Sequence, residues 1–219
     1  MLILFYFLLG KLFTIIVGFV FFKSILRPYK FVLCLVIIAT ICEMYGYYLS
    51  HIHKPNFWLF NLYMLFEIWF MGIAAIYFVD KKNIKKLFLL LLVISSIIWL
   101  SIVISNSIST FANFALVCNS VILAVMYIIV LFKNSLFSKK NILIQPIFWV
   151  SISTIIYFSC IIPYMGLHNY LSDNMPAIAG QLMDINDVLD IVRFPLIGIS
   201  FILLGRKNKV VKHSLIHEL

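Results

Sequence analysis

Five ionisable residues interrupt stretches of the chain that are otherwise almost wholly apolar: Lys11, Glu43, Glu67, Asp190 and Arg193. Glu67 stands within the run NLYMLFEIWF, residues 61–70. An ionised carboxylate left unpaired in hydrocarbon costs several kcal/mol, so such residues pair with a cation, hold a proton or face water. Intramembrane charges of this kind mark functional sites by default, and the alternative for Glu67 is a purely structural ion pair.

The composition indicates the environment of these residues. The chain of 219 residues is 64% hydrophobic and 11% charged, whereas soluble domains are about 45–50% apolar and about 25% charged. We therefore predict an all-α integral membrane protein. The formal net charge of +9 comes from short basic blocks between apolar runs, which set membrane topology; nucleic acid is excluded as a partner.

A helix that crosses about 30 Å of hydrocarbon needs about 20 apolar residues, and seven segments qualify. They form one transmembrane domain, residues 1–205, followed by a basic tail, residues 206–219. The N-terminal segment lacks the basic region and cleavage site of a signal peptide and is expected to be the first helix. The predicted spans are 2–22, 31–50, 57–79, 87–105, 111–132, 147–165 and 185–205.

The basic residues between the spans predict the orientation. Alternate connectors and the tail carry fourteen lysines and arginines, and the opposite connectors carry only Lys54. Under the positive-inside rule, the N-terminus lies outside and the C-terminus in the cytoplasm. The longest connector, residues 166–184, contains Asn174-x-Pro176, a signal that could open a short interfacial helix.

The rise of 1.5 Å per residue gives each charge a depth. Glu67 falls near the membrane midplane and Glu43 slightly outward, with Lys11 and Arg193 at one level and Asp190 a turn further out. We predict a buried charge network of these five residues. The pairing stays open: Glu67 could face Arg193 or Lys11, Lys11 could extend to the interface, and Asp190 could pair with Arg193 on its own helix.

Other polar residues favour the outer halves of the spans, which predicts a pocket that opens outward above Glu43, Glu67 and Arg193. The predicted lining residues are Asn61, Tyr63, Tyr47, Asn119 and Asn186. The tyrosines could equally belong to the aromatic belt of a membrane protein. The cysteines (Cys34, Cys42, Cys118 and Cys160) lie in apolar runs at no metal-type spacing and are predicted to be small buried side chains.

Motifs for cofactors and metals are weak or missing. His51-x-His53 and His213-x-x-x-His217 have ligand spacing without companion ligands, and we predict no metal site. The seventh span has no lysine for a retinal Schiff base, and Lys11 is on the wrong helix for one. No phosphate-binding glycine loop or hydrolase motif is present, and no cofactor is expected.

Asn61-x-Tyr63-x-x-x-Glu67 in the third span resembles a group of small uncharacterised seven-helix bacterial membrane proteins, some of which accompany sensor histidine kinases. The resemblance implies a sensory role and a location in the bacterial inner membrane, and it carries over no ligand. The preferred hypothesis is a non-enzymatic receptor-like or signal-relay subunit that acts through a cytoplasmic or membrane partner. A small-solute or proton-coupled transporter and an intramembrane lipid-acting enzyme are the alternatives, and homo-oligomerisation is left open.

Overall fold

The computed structural model describes residues 2–136, 141–175, 178 and 188–206. In this part of the chain the secondary structure is helical, with no β-strand. The prediction of an all-α fold is confirmed. The helices are α1 (Leu2–Val20), α2 (Arg27–His51), α3 (Phe57–Phe78), α4 (Lys82–Asn106), α5 (Asn113–Leu131), α6 (Pro146–Asn174) and α7 (Val188–Arg206).

Two short helical turns lie between α5 and α6. A π-helical turn, Phe132–Leu136, continues α5, and a 3₁₀ turn, Ile142–Ile144, precedes α6. Pro28 and Pro146 stand in the first turns of α2 and α6, where a missing N–H costs no helical hydrogen bond.

Six of the helices, α2 to α7, are long and apolar enough to cross a membrane, and α1 contains a shorter apolar segment, Leu8–Val20. Large apolar side chains also cover the outer surface of the bundle, as at Ile104, 74% exposed, and Phe114, 67% exposed. Contiguous apolar surface of this kind is unfavourable in water and suits contact with lipid. The helices therefore indicate an integral membrane protein in a lipid bilayer.

The core runs along the bundle between the helices. Among α1 to α6, the helix pairs α2–α3 and α5–α6 pack along each other most extensively. Val36, Met71, Tyr127, Phe158 and Phe201 are fully buried between helices. α4 lies at the periphery, because 22% of its apolar window is buried against 44–50% in the other five spans.

Small residues let α1 approach α7 closely. A Cβ added to Gly10 would lie 3.3 Å from the ring of Pro195, and one added to Gly198 would lie 2.7 Å from the ring of Phe13. The Thr14 hydroxyl donates to the Phe194 carbonyl at 2.6 Å. Glycine at such contacts brings helix backbones together in membranes, and this contact sets the position of Lys11 beside α7.

The predicted span 147–165 lies within α6, where the apolar span is Pro146–Leu167, and the helix continues beyond it to Asn174. The interfacial helix predicted from Pro176 lies outside the described residues. One prediction about burial is wrong. The cysteines are free, but Cys34 and Cys160 are exposed and the other two are half-buried. An apolar run in a membrane helix has a lipid-facing side as well as a core side, so hydropathy alone does not predict burial.

Candidate functional site

The five ionisable residues of the apolar segments meet between four helices, and we call them the charge cluster: Lys11, Glu43, Glu67, Asp190 and Arg193. The Lys11 ammonium of α1 contacts the Glu43 carboxylate of α2 and lies 3.5 Å from Asp190 Oδ2 of α7. Arg193 Nη1 of α7 lies 2.7 Å from Glu67 Oε1 of α3. The ion pairs thus connect α1, α2, α3 and α7.

Burial is nearly complete for four members of the cluster. Lys11 is 0%, Arg193 1%, Glu67 3% and Asp190 4% exposed, and Glu43 is half-buried. Lys11 therefore does not extend to the interface, and Asp190 and Arg193 each pair with a residue on another helix. Of the open pairings, the structure shows Glu67 with Arg193 and Lys11 with Glu43 and Asp190.

Helical spacing explains how these side chains are held. Asp190 and Arg193 are three residues apart, so they lie on one side of α7 a turn apart and reach different neighbours. Tyr63 is four residues before Glu67 on α3, and its hydroxyl donates to Glu67 Oε1 at 3.2 Å. One Glu67 oxygen therefore accepts from both Tyr63 and Arg193.

Aromatic rings contact both cations of the cluster. The Arg193 guanidinium lies 4.1 Å from the centre of the Tyr157 ring and 5.0 Å from that of Phe158. The Lys11 ammonium lies 4.5 Å from the ring centre of Phe194. Ring faces attract cations, so these contacts offset part of the cost of burying the two charges.

A cavity of about 420 Å³ extends from the α2–α3 connector to the charge cluster. Ser50, Asn56 and Phe57 line it near the ends of α2 and α3, and Glu43, Glu67 and Asp190 line it deep in the bundle. Phe57 and Glu67 are ten residues apart on α3, which corresponds to a depth of about 15 Å.

The predicted lining residues divide into two groups. Tyr47 and Tyr63 line the cavity, whereas Asn61 and Asn119 lie elsewhere. Asn119 is buried and accepts a hydrogen bond from Ser95 of α4. Depth along a helix was predicted for these asparagines, but their direction around the helix was not, so the prediction is wrong for both. Asn186 lies outside the described residues.

Asn61 holds the connector between α4 and α5. Its side-chain amide donates to the carbonyls of Ile108, at 2.9 Å, and Thr110, at 2.8 Å. Its carbonyl oxygen accepts from the Ala112 backbone N–H at 3.0 Å. The Asn61 backbone carbonyl also accepts a hydrogen bond from the Trp99 indole. Asn61 is therefore a structural anchor beside the cavity.

Tyr157 was not predicted as a site residue, yet it lines the cavity and covers Arg193. The sequence contains a usable signal, because Tyr157, Ile161 and Tyr164 are spaced i, i+4 and i+7 and all three line the cavity. That spacing places them on one side of α6.

Among the residues that the structure describes, no group of three or more His, Cys, Asp and Glu side chains could hold a metal ion. His51 and His53 lie exposed beside the cavity mouth, and His213 and His217 lie outside the described residues.

The fold and the cavity define a polytopic α-helical membrane protein with a charged cavity inside its helix bundle. Comparison with family models, with curated proteins and with solved structures finds no match for this chain.

Proposed function

We propose that the chain is a receptor-like or signal-relay subunit of the bacterial inner membrane that binds a ligand in the cavity and acts through a partner protein. One observation carries this proposal: the cavity ends on the ion pairs that connect α1, α2, α3 and α7. A ligand that reaches the cavity floor would contact groups that determine how four helices pack.

The full architecture in this proposal is a bundle of seven transmembrane helices, with α1 as the first. The N-terminus is outside and the C-terminus is in the cytoplasm. The distribution of basic residues supports this orientation, since the α1–α2 and α3–α4 connectors are lysine- and arginine-rich and the α2–α3 connector contains only Lys54. The cavity, which begins near the α2–α3 connector, then opens outward.

The signalling step follows from the shared contacts of Asp190 and Glu43. A ligand that interacts with either carboxylate competes with Lys11 and changes the preferred position of α1 relative to α2 and α7. Only a ligand with different affinities for the two packings shifts their populations. The cytoplasmic partner would read this shift through the basic connectors, such as Lys81 to Lys86.

The resemblance of Asn61-x-Tyr63-x-x-x-Glu67 to helices of membrane proteins that accompany sensor histidine kinases suggests a kinase as the partner. We test this by isolating the chain from membranes of its native host under mild detergent, followed by mass spectrometry. A signalling protein should co-purify in a stoichiometric amount. Recovery of the folded chain without a kinase, channel or adaptor would contradict the proposal.

The orientation has its own test. In a variant without the four native cysteines, Lys54→Cys should react in intact cells with a maleimide that cannot cross the membrane. Lys85→Cys, on the α3–α4 side, should react only after the membrane is permeabilised. The reverse pattern would place the cavity mouth in the cytoplasm.

A proton-coupled transporter is the second candidate, and the charges of the cluster favour it. Three carboxylates face two cations, so one carboxylate is available to carry a proton. Proteoliposomes loaded with a pH-sensitive dye would detect proton flux. Flux in the wild type that Glu67→Gln abolishes would establish the transporter and remove the need for a signalling partner.

A further inference from the structure

Within the part of the chain that the structure describes, the cavity wall carries negative charge without positive charge. Its described lining includes three carboxylates, from Glu43, Glu67 and Asp190, and no lysine, arginine or histidine. Lys11 and Arg193 contact these carboxylates but are not among the lining residues. A molecule in the cavity therefore meets the acids of the cluster before it meets the cations.

The charge cluster also has one carboxylate more than it has cations. Within the described part of the chain, Asp190 Oδ1 accepts no hydrogen bond, although the residue is only 4% exposed and lines the cavity. A buried carboxylate oxygen without a donor is costly. A donor that enters through the cavity would satisfy that oxygen and balance the charge.

The rest of the wall is mainly apolar and aromatic. Four tyrosines and three phenylalanines line the cavity, and Ala39, Met64, Leu116 and Ile161 are among the aliphatic residues. Tyrosine and phenylalanine ring faces attract cations, and aromatic walls with a carboxylate recognise ammonium groups. The volume of about 420 Å³ lies in the range of about 300–1,000 Å³ typical of small-molecule sites.

We propose that the cavity binds a small organic cation, either a primary amine or a quaternary ammonium compound. Its charged group lies against Asp190 and Glu43, and its apolar part packs among the rings nearer the mouth. A bare metal ion is a poor fit, because no group of three or more His, Cys, Asp and Glu side chains that could hold one occurs among the described residues. This inference rests on the proposed function of the cavity as a ligand site.

The test is binding of matched probes to the purified full-length protein in nanodiscs, by isothermal titration and by thermal unfolding. Choline is compared with 3,3-dimethyl-1-butanol, its neutral analogue of the same shape. 2-Phenylethylammonium is compared with 2-phenylethanol, and sodium and calcium chlorides serve as inorganic cations. We expect at least one ammonium probe to bind at least tenfold more tightly than its neutral analogue.

Two variants locate the binding. Asp190→Asn should weaken ammonium binding at least tenfold, and it leaves two carboxylates with two cations, which favours folding. Ser50→Trp places a large side chain at the cavity mouth without changing a charge, and it should also weaken binding. Ser105→Trp, at an exposed position of α4 away from the cavity, is the matched control and should bind as the wild type does.

Equal affinity for charged and neutral probes would overturn the inference. So would binding of calcium alone, or no binding of either ammonium probe at millimolar concentration by protein that unfolds cooperatively. Binding that both Ser50→Trp and Asp190→Asn leave unchanged would place the cation elsewhere. The assay contains no partner protein, so its outcome is independent of the co-purification experiment. If the protein binds ammonium probes but no signalling partner co-purifies, the signal-relay function is rejected and the cation-binding site is retained.

Discussion

The Arg193–Glu67 pair allows a quantitative test, because both side chains are buried and the contact is short. At 2.7 Å, two unit charges attract by about 6 kcal/mol for an effective dielectric constant of about 20. Desolvation costs several kcal/mol for each ion, so the pair contributes little net stability. Removal of the arginine is different, since Glu67 then remains as a buried charge without its cation.

Arg193→Met should therefore be the most damaging variant. It leaves Glu67 without a cation, removes the guanidinium from the Tyr157 ring, and gives the cluster three carboxylates against Lys11 alone. Breaking a buried pair in this way costs about 3–5 kcal/mol. For a chain of this size, each kcal/mol lowers the unfolding temperature by about 2–4 °C, so we expect a decrease of about 6–20 °C.

Glu67→Gln should be milder, at about 1–2 kcal/mol, because glutamine still accepts from Arg193 and only the charge contribution to that hydrogen bond is lost. It also leaves equal numbers of carboxylates and cations in the cluster. The double variant, Glu67→Gln with Arg193→Met, should be more stable than Arg193→Met, since it contains no unpaired charge at this position.

The assay is thermal unfolding in nanodiscs followed by intrinsic tryptophan fluorescence, with a double-mutant cycle to obtain the coupling energy. Arg206→Met is the control, because it makes the same change at an exposed position of the same helix and should alter stability by less than about 0.5 kcal/mol. Additive losses in the double variant, or a greater loss for Glu67→Gln than for Arg193→Met, would refute the reasoning.

Three further substitutions test other contacts. Asn61→Leu should speed hydrogen exchange of the Ala112 amide, because that buried N–H loses its acceptor. The exchange is measured by mass spectrometry, and an unchanged rate would argue against Asn61 as a structural anchor. Tyr127→Phe should lower the unfolding free energy by about 0.5–1.5 kcal/mol, since the hydroxyl donates to the Met71 carbonyl at 3.1 Å. Gly198→Val should cost about 1–3 kcal/mol by forcing α1 away from α7, and stability equal to wild type would mean that the two helices separate freely.

Hydropathy predicted the helices well because the distance across the hydrocarbon fixes a minimum length of apolar sequence. In α6 it predicted the end of the apolar span, at Leu167, but not the end of the helix, at Asn174. From Gly166 to Asn174 the sequence becomes more polar, which indicates where the hydrocarbon ends, whereas the backbone hydrogen bonds continue the helix further. Hydropathy indicates whether a segment lies in lipid or in water, and it indicates the conformation of the segment only indirectly.

The charge cluster was accessible from the sequence because depth follows from residue number at a fixed rise. Charged residues at one depth in the membrane need partners of opposite charge, and the apolar segments contain few charged residues that could pair. Asn61 and Asn119 show that depth in the membrane does not predict which neighbouring helix a side chain faces. Both are at suitable levels, but they point toward α4 and its connector, and rotation about a helix axis depends on packing against neighbours that the sequence alone does not specify.

The arrangement on α7 explains why one cavity could influence the whole bundle. Asp190 and Arg193 lie a turn apart, and they pair with Lys11 of α1 and Glu67 of α3 respectively. A small rotation or translation of α7 therefore changes both contacts together, and no other helix carries two members of the cluster. Asp190 lines the cavity while Arg193 lies behind Glu67 and Tyr157, so a cation bound at Asp190 would act on α7 directly and on α3 through Arg193.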